Sequence, residues 1–344
     1  MDKILKFKFS SNTKYEDLYI TAECTEIYID KSDIGDTHDE KLKHNFIAVA
    51  RKNIVAKKFI ADLANQGFFL IHHTNGISIY KRLINHLAFI KNFTQENILV
   101  REETFYTLEE PTFISESPKL LVVFSSIADF PFNASISRRM FFTNYSSVSK
   151  YIPKDTYILR IADIGGVLGS FYLNSNFDPK FESKVQNLIH YIQVEKNISP
   201  KNTVLYGTSK GATGALYHGI QLGLKTLAVD PIVSDDFYLK ELNDLHFVQD
   251  VFPSSKNKKF FELMTDYSSE NLEHIHIVTS RNSEQYQYIV KILQQQSSIK
   301  QFVFNNPHIK GHTDIGDKTL NFASSMLNIL LYNLSVEQNL ETTY

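Results

Sequence analysis

Residues 204–215 have the sequence VLYGTSKGATGA, and this stretch decides the fold that we expect for the chain. The apolar run Val204–Tyr206 predicts a buried strand, and small and apolar residues at helical spacing begin at Ala212. Between them lies a Gly-x-Ser-x-Gly turn centred on Ser209, which is the strand–turn–helix order of a nucleophile elbow. Glycine suits the two flanking positions because a Cβ atom there would collide with the neighbouring strand or helix. We therefore predict Ser209 as a nucleophile at a helix N-terminus, where negative charge is favoured.

The composition is that of an ordinary globular protein and argues against several classes of function. The chain has 344 residues, a formal net charge of −2 and no long runs of Lys or Arg, so we expect no nucleic-acid partner. Its single cysteine, Cys24, excludes an intramolecular disulfide and a cysteine-based zinc site. The first residues lack the apolar region of a signal peptide, and no stretch reaches the roughly 20 apolar residues of a membrane span. We therefore expect a soluble, cytoplasmic protein without a metal.

The first region of the chain, residues 1–112, predicts a small α+β module. A helix is expected over residues 46–66, with Gly67 at its C-terminal end. Residues 68–80 predict a β-hairpin, because two β-like runs flank an Asn-Gly turn. The polar segment 30–44 predicts a loop.

The second region, residues 113–344, alternates between apolar runs and amphipathic segments. This alternation predicts a parallel, doubly wound sheet with helices on both faces. The strand that precedes Ser209 is expected near the middle of that sheet. The predicted fold class is therefore α/β: an α/β-hydrolase-like doubly wound parallel sheet with a small N-terminal α+β module, divided into domains 1–112 and 113–344.

A serine hydroxyl becomes a useful nucleophile only when a base lies within hydrogen-bond reach. In α/β-hydrolase order this base is a histidine between the last strand and the last helix, which here is the segment 305–316. The segment contains two histidines, His308 and His312. We favour His312, because Gly311 lets the backbone approach closely and because His312 lies at the start of the final helix.

The group that orients the histidine is expected after the strand 274–279. Glu284 is the only carboxylate in the segment 280–285, so we predict Glu284 as the acid of the triad. Asp230, which ends the preceding strand, is the main alternative. Asn282 could also orient an imidazole by hydrogen bonding, as an amide does in Cys–His–Asn sites.

The oxyanion of an acyl-transfer intermediate needs backbone N–H donors. The first is expected from Lys210, which follows the nucleophile, and the second from the loop after the strand 120–124. Ser125, Ser126 and Ile127 are the candidates in that loop, and we predict Ser126.

Two adjacent arginines, Arg138 and Arg139, lie downstream of the same loop. A guanidinium fork can hold a phosphate or a carboxylate, so we predict both as substrate-binding residues. The alternatives are a solvated helix face or an internal salt bridge.

The chain resembles a known family, the XcbB/CpsF family of bacterial capsular polysaccharide biosynthesis proteins. That family is similar to the α/β-hydrolase-type O-acetyltransferases of meningococcal capsule and to a glycan-modifying component of the accessory Sec system. The resemblance extends over residues 113–335. It is carried by YILRIAD at 157–163, YGTSKGATGALYHG at 206–219 and VDPI at 229–232.

The resemblance implies residue roles and a reaction. The serine of the family corresponds to Ser209 and its late histidine to His312, whereas its usual aspartate has no counterpart in the stretch 282–284. The implied activity is O-acetyl transfer from acetyl-CoA, through an acyl-enzyme, to a sugar hydroxyl of a capsular polysaccharide or oligosaccharide. Other capsule-assembly proteins are implied as further partners. No P-loop or dinucleotide fingerprint is present, so CoA would bind at the mouth of the pocket.

Two other functions remain open on the sequence. A serine esterase or other hydrolase would use the same triad, with water in place of the sugar hydroxyl. A non-catalytic capsule-assembly partner would keep the fold without the chemistry, and the missing aspartate motivates that hypothesis. A distance between Ser209 and His312 far beyond hydrogen-bond reach, with no carboxylate near His312, would favour the non-catalytic partner.

Overall fold

The structure, a computed structural model, contains two β-sheets with helices packed against them. Within the described residues no helix is long and apolar enough to cross a membrane. The predicted loop over 30–44 lies mostly outside the residues that the structure describes. The described residues are 3–31, 44–128, 134–294, 296–335 and 340–343.

The N-terminal region forms a four-stranded sheet with the strand order β1-β2-β4-β3. The predicted hairpin is confirmed: β3 and β4 are antiparallel, and Asn75 and Gly76 between them have φ angles of 49° and 78°. In place of one helix over 46–66 there are two, each begun by an asparagine side chain that accepts a backbone N–H. The elements in chain order are β1 (Lys3–Lys8), β2 (Cys24–Asp30), α1 (Phe46–Ala50), α2 (Ile54–Asn65), β3 (Phe68–Thr74), β4 (Ile77–Arg82) and α3 (His86–Ile90).

The rest of the chain forms a nine-stranded sheet with the order β13-β12-β11-β10-β9-β7-β8-β6-β5. The strands from β13 to β8 are parallel, and β6 and β5 extend the sheet in antiparallel fashion. The elements are β5 (Leu99–Arg101), β6 (Thr104–Glu109), β7 (Lys119–Phe124), α4 (Ile136–Met140), β8 (Thr156–Ile161), α5 (Phe181–Glu195), β9 (Thr203–Thr208), α6 (Lys210–Leu222), β10 (Lys225–Val229), α7 (Asp236–Lys240), α8 (Lys256–Asp266), β11 (Ile275–Ser280), α9 (Tyr286–Leu293), β12 (Lys300–Asn305), α10 (His312–Lys318), α11 (Leu320–Leu331) and β13 (Leu340–Thr343).

Helices cover both faces of the large sheet, as the continuous apolar runs predicted. Along β7, Leu121 and Val123 pack in a buried cluster with Leu327 of α11. The alternate residues Leu120 and Val122 point to the other face, where α5 covers them. The predicted α/β, doubly wound, parallel architecture is therefore confirmed, and β9 lies at its centre.

The two sheets divide the chain at a different place from the predicted boundary at residue 112. Strands β5 and β6 belong to the large sheet, where Tyr106 of β6 is opposite Ile161 of β8. The small sheet spans only residues 3–82. A short edge strand has the same local pattern in either sheet, so its sequence does not reveal which partner it joins.

Several buried histidines in the core make the stability of the fold sensitive to acid. His276 of β11 is 3% exposed, and Nδ1 lies 3.2 Å from the carbonyl oxygen of Thr226. Burial lowers the pKa of His276 to about 4, and it lowers the pKa of His218 on α6 to about 4 as well. Both imidazoles are therefore neutral in the folded protein at neutral pH.

Acid should destabilise the protein between pH 6.5 and pH 4, because the unfolded chain then binds protons that the folded chain excludes. For His276 the pKa of about 4, against the ordinary 6.5, costs roughly 3 kcal/mol of unfolding free energy by pH 4. In His276→Asn the amide nitrogen replaces Nδ1 and does not titrate. The decrease in unfolding free energy per pH unit should therefore be about 1 kcal/mol smaller than in the wild type. Urea unfolding at several pH values measures this slope. An unchanged slope in the variant would contradict the prediction.

Candidate active site

Ser209 lies in the sharp turn between β9 and α6, in a backbone conformation that is unusual for a residue with a side chain. Its φ and ψ angles are 53° and −119°. A Cβ atom at Gly207 would lie 2.2 Å from the carbonyl of Gly211, and one at Gly211 would lie 2.3 Å from the carbonyl oxygen of Phe124. The two glycines therefore permit the turn that presents Ser209 at the carboxyl edge of the central strand.

His312 and Asp230 complete a chain of hydrogen bonds from the Ser209 hydroxyl. Oγ of Ser209 lies 2.7 Å from Nε2 of His312, and Nδ1 of His312 lies 2.6 Å from Oδ2 of Asp230. With the proton on Nδ1 donated to the carboxylate, Nε2 is free to accept the serine proton. His308, the alternative base, is exposed in the segment between β12 and α10.

Asp230 is held rigidly in a buried position just after β10. The residue is 1% exposed and has a φ angle of 52°. Its carboxylate accepts hydrogen bonds from the hydroxyls of Thr279, at 2.6 Å, and Ser283, at 2.5 Å. These two donors, from β11 and the loop after it, fix the orientation of the carboxylate.

Glu284 does not occupy the position that we predicted for it. Its carboxylate accepts the backbone N–H of His312 at 2.7 Å, at the N-terminus of α10, and does not contact the imidazole. The side chain of Asn282, the other alternative, donates to the carbonyl of Ile309 at 2.9 Å. The carboxylate at the imidazole is that of Asp230. The loops after β10 and β11 end at the same edge of the sheet, so sequence order alone cannot say which one reaches the ring.

The backbone donors near Ser209 differ in one respect from the prediction. Lys210 is the first residue of α6, so its N–H has no partner within the helix. The N–H of Ser126 is occupied, because it donates to the side-chain oxygen of Asn144 at 3.0 Å. The N–H of Ser125 is also occupied, by the hydroxyl of Tyr172 at 2.5 Å. Among the described residues the N–H of Ile127 has no acceptor.

A cavity of about 370 Å³ opens at these groups. Because Ile127 lines this cavity and its N–H is free, Ile127 replaces Ser126 as the candidate second donor. The side chains around the cavity are mostly small or polar. They include Ser126, Ile127, Ser209, His312, Thr313 and Asp317.

The two arginines lie in different surroundings. Arg139 is 2% exposed, and its guanidinium donates to the carbonyls of Val167 and Leu70. Burial lowers its pKa to about 10. The predicted substrate contact of Arg139 is therefore corrected: the residue joins the small sheet to a loop of the large one. Arg138 is half-buried with its guanidinium 5.0 Å from the ring centre of Phe142, and its substrate contact stays a prediction.

Asn144 had no predicted role, but it links the loop after β7 to the end of β9 at the site. Its side-chain oxygen accepts from Ser126, and its Nδ2 donates to the hydroxyl of Thr208 at 2.9 Å. Nothing in the local sequence marks this contact, because Asn144 is 64 residues from Thr208. In the part of the chain that the structure describes, no cluster of His, Cys, Asp and Glu could hold a metal ion.

Comparison with known proteins finds a similarity in structure but none in sequence. No family model matches the chain, and no curated protein sequence matches it significantly. The structure is similar to a Glycosylation Associate Protein (Gap123) complex from Streptococcus agalactiae, with a TM-score of 0.50 and 15% identity over 76% of this chain. The match covers 52% of that chain, so the present chain spans about half the length of this relative.

Weaker likenesses extend to enzymes with shorter chains. One is a capsule O-acetyltransferase of Neisseria meningitidis serogroup A, with a TM-score of 0.47 and 15% identity over 67% of this chain and 93% of that one. Another is an arylesterase, with a TM-score of 0.45 and 13% identity over 86% of this chain and 98% of that one. At such identities the similarity concerns the fold alone.

Proposed function

We propose that the chain is a serine-dependent acyltransferase that forms an acyl-enzyme on Ser209. The observation that carries the proposal is the unbroken hydrogen-bonded chain from Ser209 through His312 to Asp230, with distances of 2.7 and 2.6 Å. The same series of hydrogen bonds argues against a non-catalytic assembly partner, because Asp230 lies where the aspartate missing from the stretch after β11 was expected to act.

The geometry supports a two-step reaction. His312 accepts the proton of Ser209 as Oγ attacks the acyl carbonyl, and the N–H groups of Lys210 and Ile127 stabilise the oxyanion. The intermediate collapses, and His312 returns the proton to the leaving group. An acceptor hydroxyl then gives its proton to His312 and attacks the acyl-enzyme. As the second intermediate collapses, His312 returns that proton to Oγ of Ser209, which is the leaving group.

The acyl group and the acceptor follow from the resemblance described above. We propose acetyl-CoA as the donor and a sugar hydroxyl of a capsular polysaccharide or oligosaccharide as the acceptor. A cavity of about 370 Å³ has room for an acetyl group and one sugar ring at Ser209 but not for a whole CoA molecule. The CoA nucleotide would therefore lie outside this cavity.

Esterase or other hydrolase activity is the second candidate. Ser209 is half-buried and the His312 side chain is 12% exposed, so water can approach the acyl-enzyme. Rapid loss of the acyl group without an acceptor would favour this candidate, since a transferase must protect its acyl-enzyme from water.

Acetyl-CoA should add one acetyl group to the wild-type protein and none to Ser209→Ala, as measured by intact-mass spectrometry. Added capsule oligosaccharide should remove the acetyl group from the protein and carry it as an ester. Ser183→Ala, which removes an exposed serine hydroxyl on α5, should acetylate like the wild type.

No acetyl adduct, together with release of acetate from small esters, would favour the hydrolase instead. Absence of both reactions would contradict the proposed enzyme and support the assembly partner.

Asp230→Asn should lower kcat by roughly 10³- to 10⁴-fold, because its amide would stabilise the imidazole tautomer with the proton on Nε2. Glu284→Gln keeps an oxygen that can accept the backbone N–H of His312, so its kcat should stay within about threefold of the wild type. Steady-state kinetics on a small acetyl ester measures kcat for both variants. The reverse ranking of the two variants would restore Glu284 as the acid of the triad.

A further inference from the structure

Behind the nucleophile turn lies a buried ion pair that the reaction described above does not use. Asp163 follows β8 by two residues, and its Oδ2 lies 2.7 Å from Nζ of Lys210. Both side chains are 0% exposed. Buried charges are retained only where their partners satisfy them, so this pair calls for an account of what it holds in place.

One end of the pair holds the first oxyanion donor. Lys210 carries the backbone N–H next to Ser209, and its side chain extends away from the pocket to Asp163. Nζ also donates to the carbonyl of Arg139 at 3.0 Å. The ammonium is therefore anchored at two points, which fixes the residue that carries the first candidate donor.

The other end of the pair holds a strained loop. The Asp163 carboxylate accepts the backbone N–H groups of Ser170, Phe171 and Tyr172 at 3.1, 3.0 and 2.9 Å. Phe171 and Tyr172 have φ angles of 59° and 61°, a conformation that bulky residues rarely adopt. The hydrogen bonds to Asp163 compensate for this strain, so the loop keeps its shape because of the carboxylate.

Tyr172 connects that loop to the second oxyanion donor. Its hydroxyl donates to the carbonyl of Ile161 at 2.7 Å and accepts the N–H of Ser125 at 2.5 Å. Ser125 begins the turn after β7 that carries Ile127. The position of the Ile127 N–H therefore depends on Tyr172, and through Tyr172 on Asp163.

Gly169 lets the loop close directly over the ion pair. Its φ angle is +101°, and a Cβ atom there would lie 2.3 Å from Oδ2 of Asp163 and 2.4 Å from Nζ of Lys210. The loop thereby covers both charges and excludes water from them.

We propose that Asp163 is a positioning residue that sets both donors of the oxyanion hole, the first through Lys210 and the second through Tyr172. This inference rests on the proposed function, because an oxyanion hole matters only if Ser209 is acylated. It holds equally for a transferase and for a hydrolase, since both form the same oxyanion during acylation.

The experiment follows the turnover of 4-nitrophenyl acetate, which releases a coloured product whatever the natural acceptor is. Acylation and deacylation both pass through an oxyanion, so kcat reports on the two donors whichever step is slower. In Asp163→Asn, kcat for this ester should fall roughly 10²- to 10³-fold, while KM should stay within about twofold. We expect kcat to fall without a change in KM, because the donors stabilise the transition state and contribute little to ground-state binding. Tyr172→Phe, which affects only the second donor, should lose less kcat than Asp163→Asn, again at constant KM.

A matched control lies at the opposite end of the same strands. Asp155 accepts Nζ of Lys119 at 2.6 Å and the hydroxyl of Ser115 at 2.8 Å, just before β8 begins. Asp155→Asn removes a partly buried ion pair from β7 and β8 without touching the oxyanion loops. It should lower the melting temperature and leave kcat unchanged.

Asp163→Asn could fail to fold, because it leaves the buried ammonium of Lys210 unpaired. The double variant Asp163→Asn/Lys210→Met removes both charges together. It should fold and still show the loss of kcat at constant KM.

Wild-type kcat in a folded Asp163→Asn or double variant would overturn the positioning role alone. An equal loss of kcat in Asp155→Asn would also overturn it, because the effect would then be one of general rigidity. A wild-type protein that is never acylated on Ser209 would instead overturn the proposed function.

Discussion

The contact between Asp230 and His312 joins two residues that are 82 positions apart in the sequence, with 2.6 Å between Oδ2 and Nδ1. Without it the imidazole could rotate or carry its proton on the wrong nitrogen, and Ser209 would be an ordinary hydroxyl. The carboxylate is in turn held by Thr279 of β11 and Ser283 of the loop after it, so two neighbouring strands, β10 and β11, contribute to the orientation of the ring. The chemistry thus depends on the parallel sheet, which brings its strand ends to a common edge.

Four residues with strained backbone conformations lie at or beside that edge. Ser209 and Asp230 both have positive φ angles, and so do Phe171 and Tyr172 in the loop that supports the oxyanion donors. Each of these residues is held by hydrogen bonds or by a tightly packed turn, as the glycines on both sides of Ser209 illustrate. Such conformations persist only where the surroundings compensate for them.

Much of the large sheet could be predicted from the sequence, because strands buried on both faces give continuous apolar runs and because the turn at Ser209 has a distinctive glycine pattern. The sequence also favoured His312 over His308, and the structure brings His312 to Ser209. Other contacts could not be predicted, because they depend on how distant loops meet. Asp230 rather than Glu284 lies at the imidazole, Ser126 is occupied by Asn144, and Arg139 is buried.

The central claim is that Asp230 and His312 activate Ser209, and reaction with a fluorophosphonate ester tests it without knowledge of the natural substrate. Such a reagent is attacked by an activated serine oxygen with loss of fluoride, which leaves a stable phosphonyl ester. We predict one phosphonyl group for each wild-type chain, located on Ser209 by peptide mass spectrometry, and a much slower reaction in Asp230→Asn. No reaction of the folded wild-type protein, or a label on another residue, would contradict the claim.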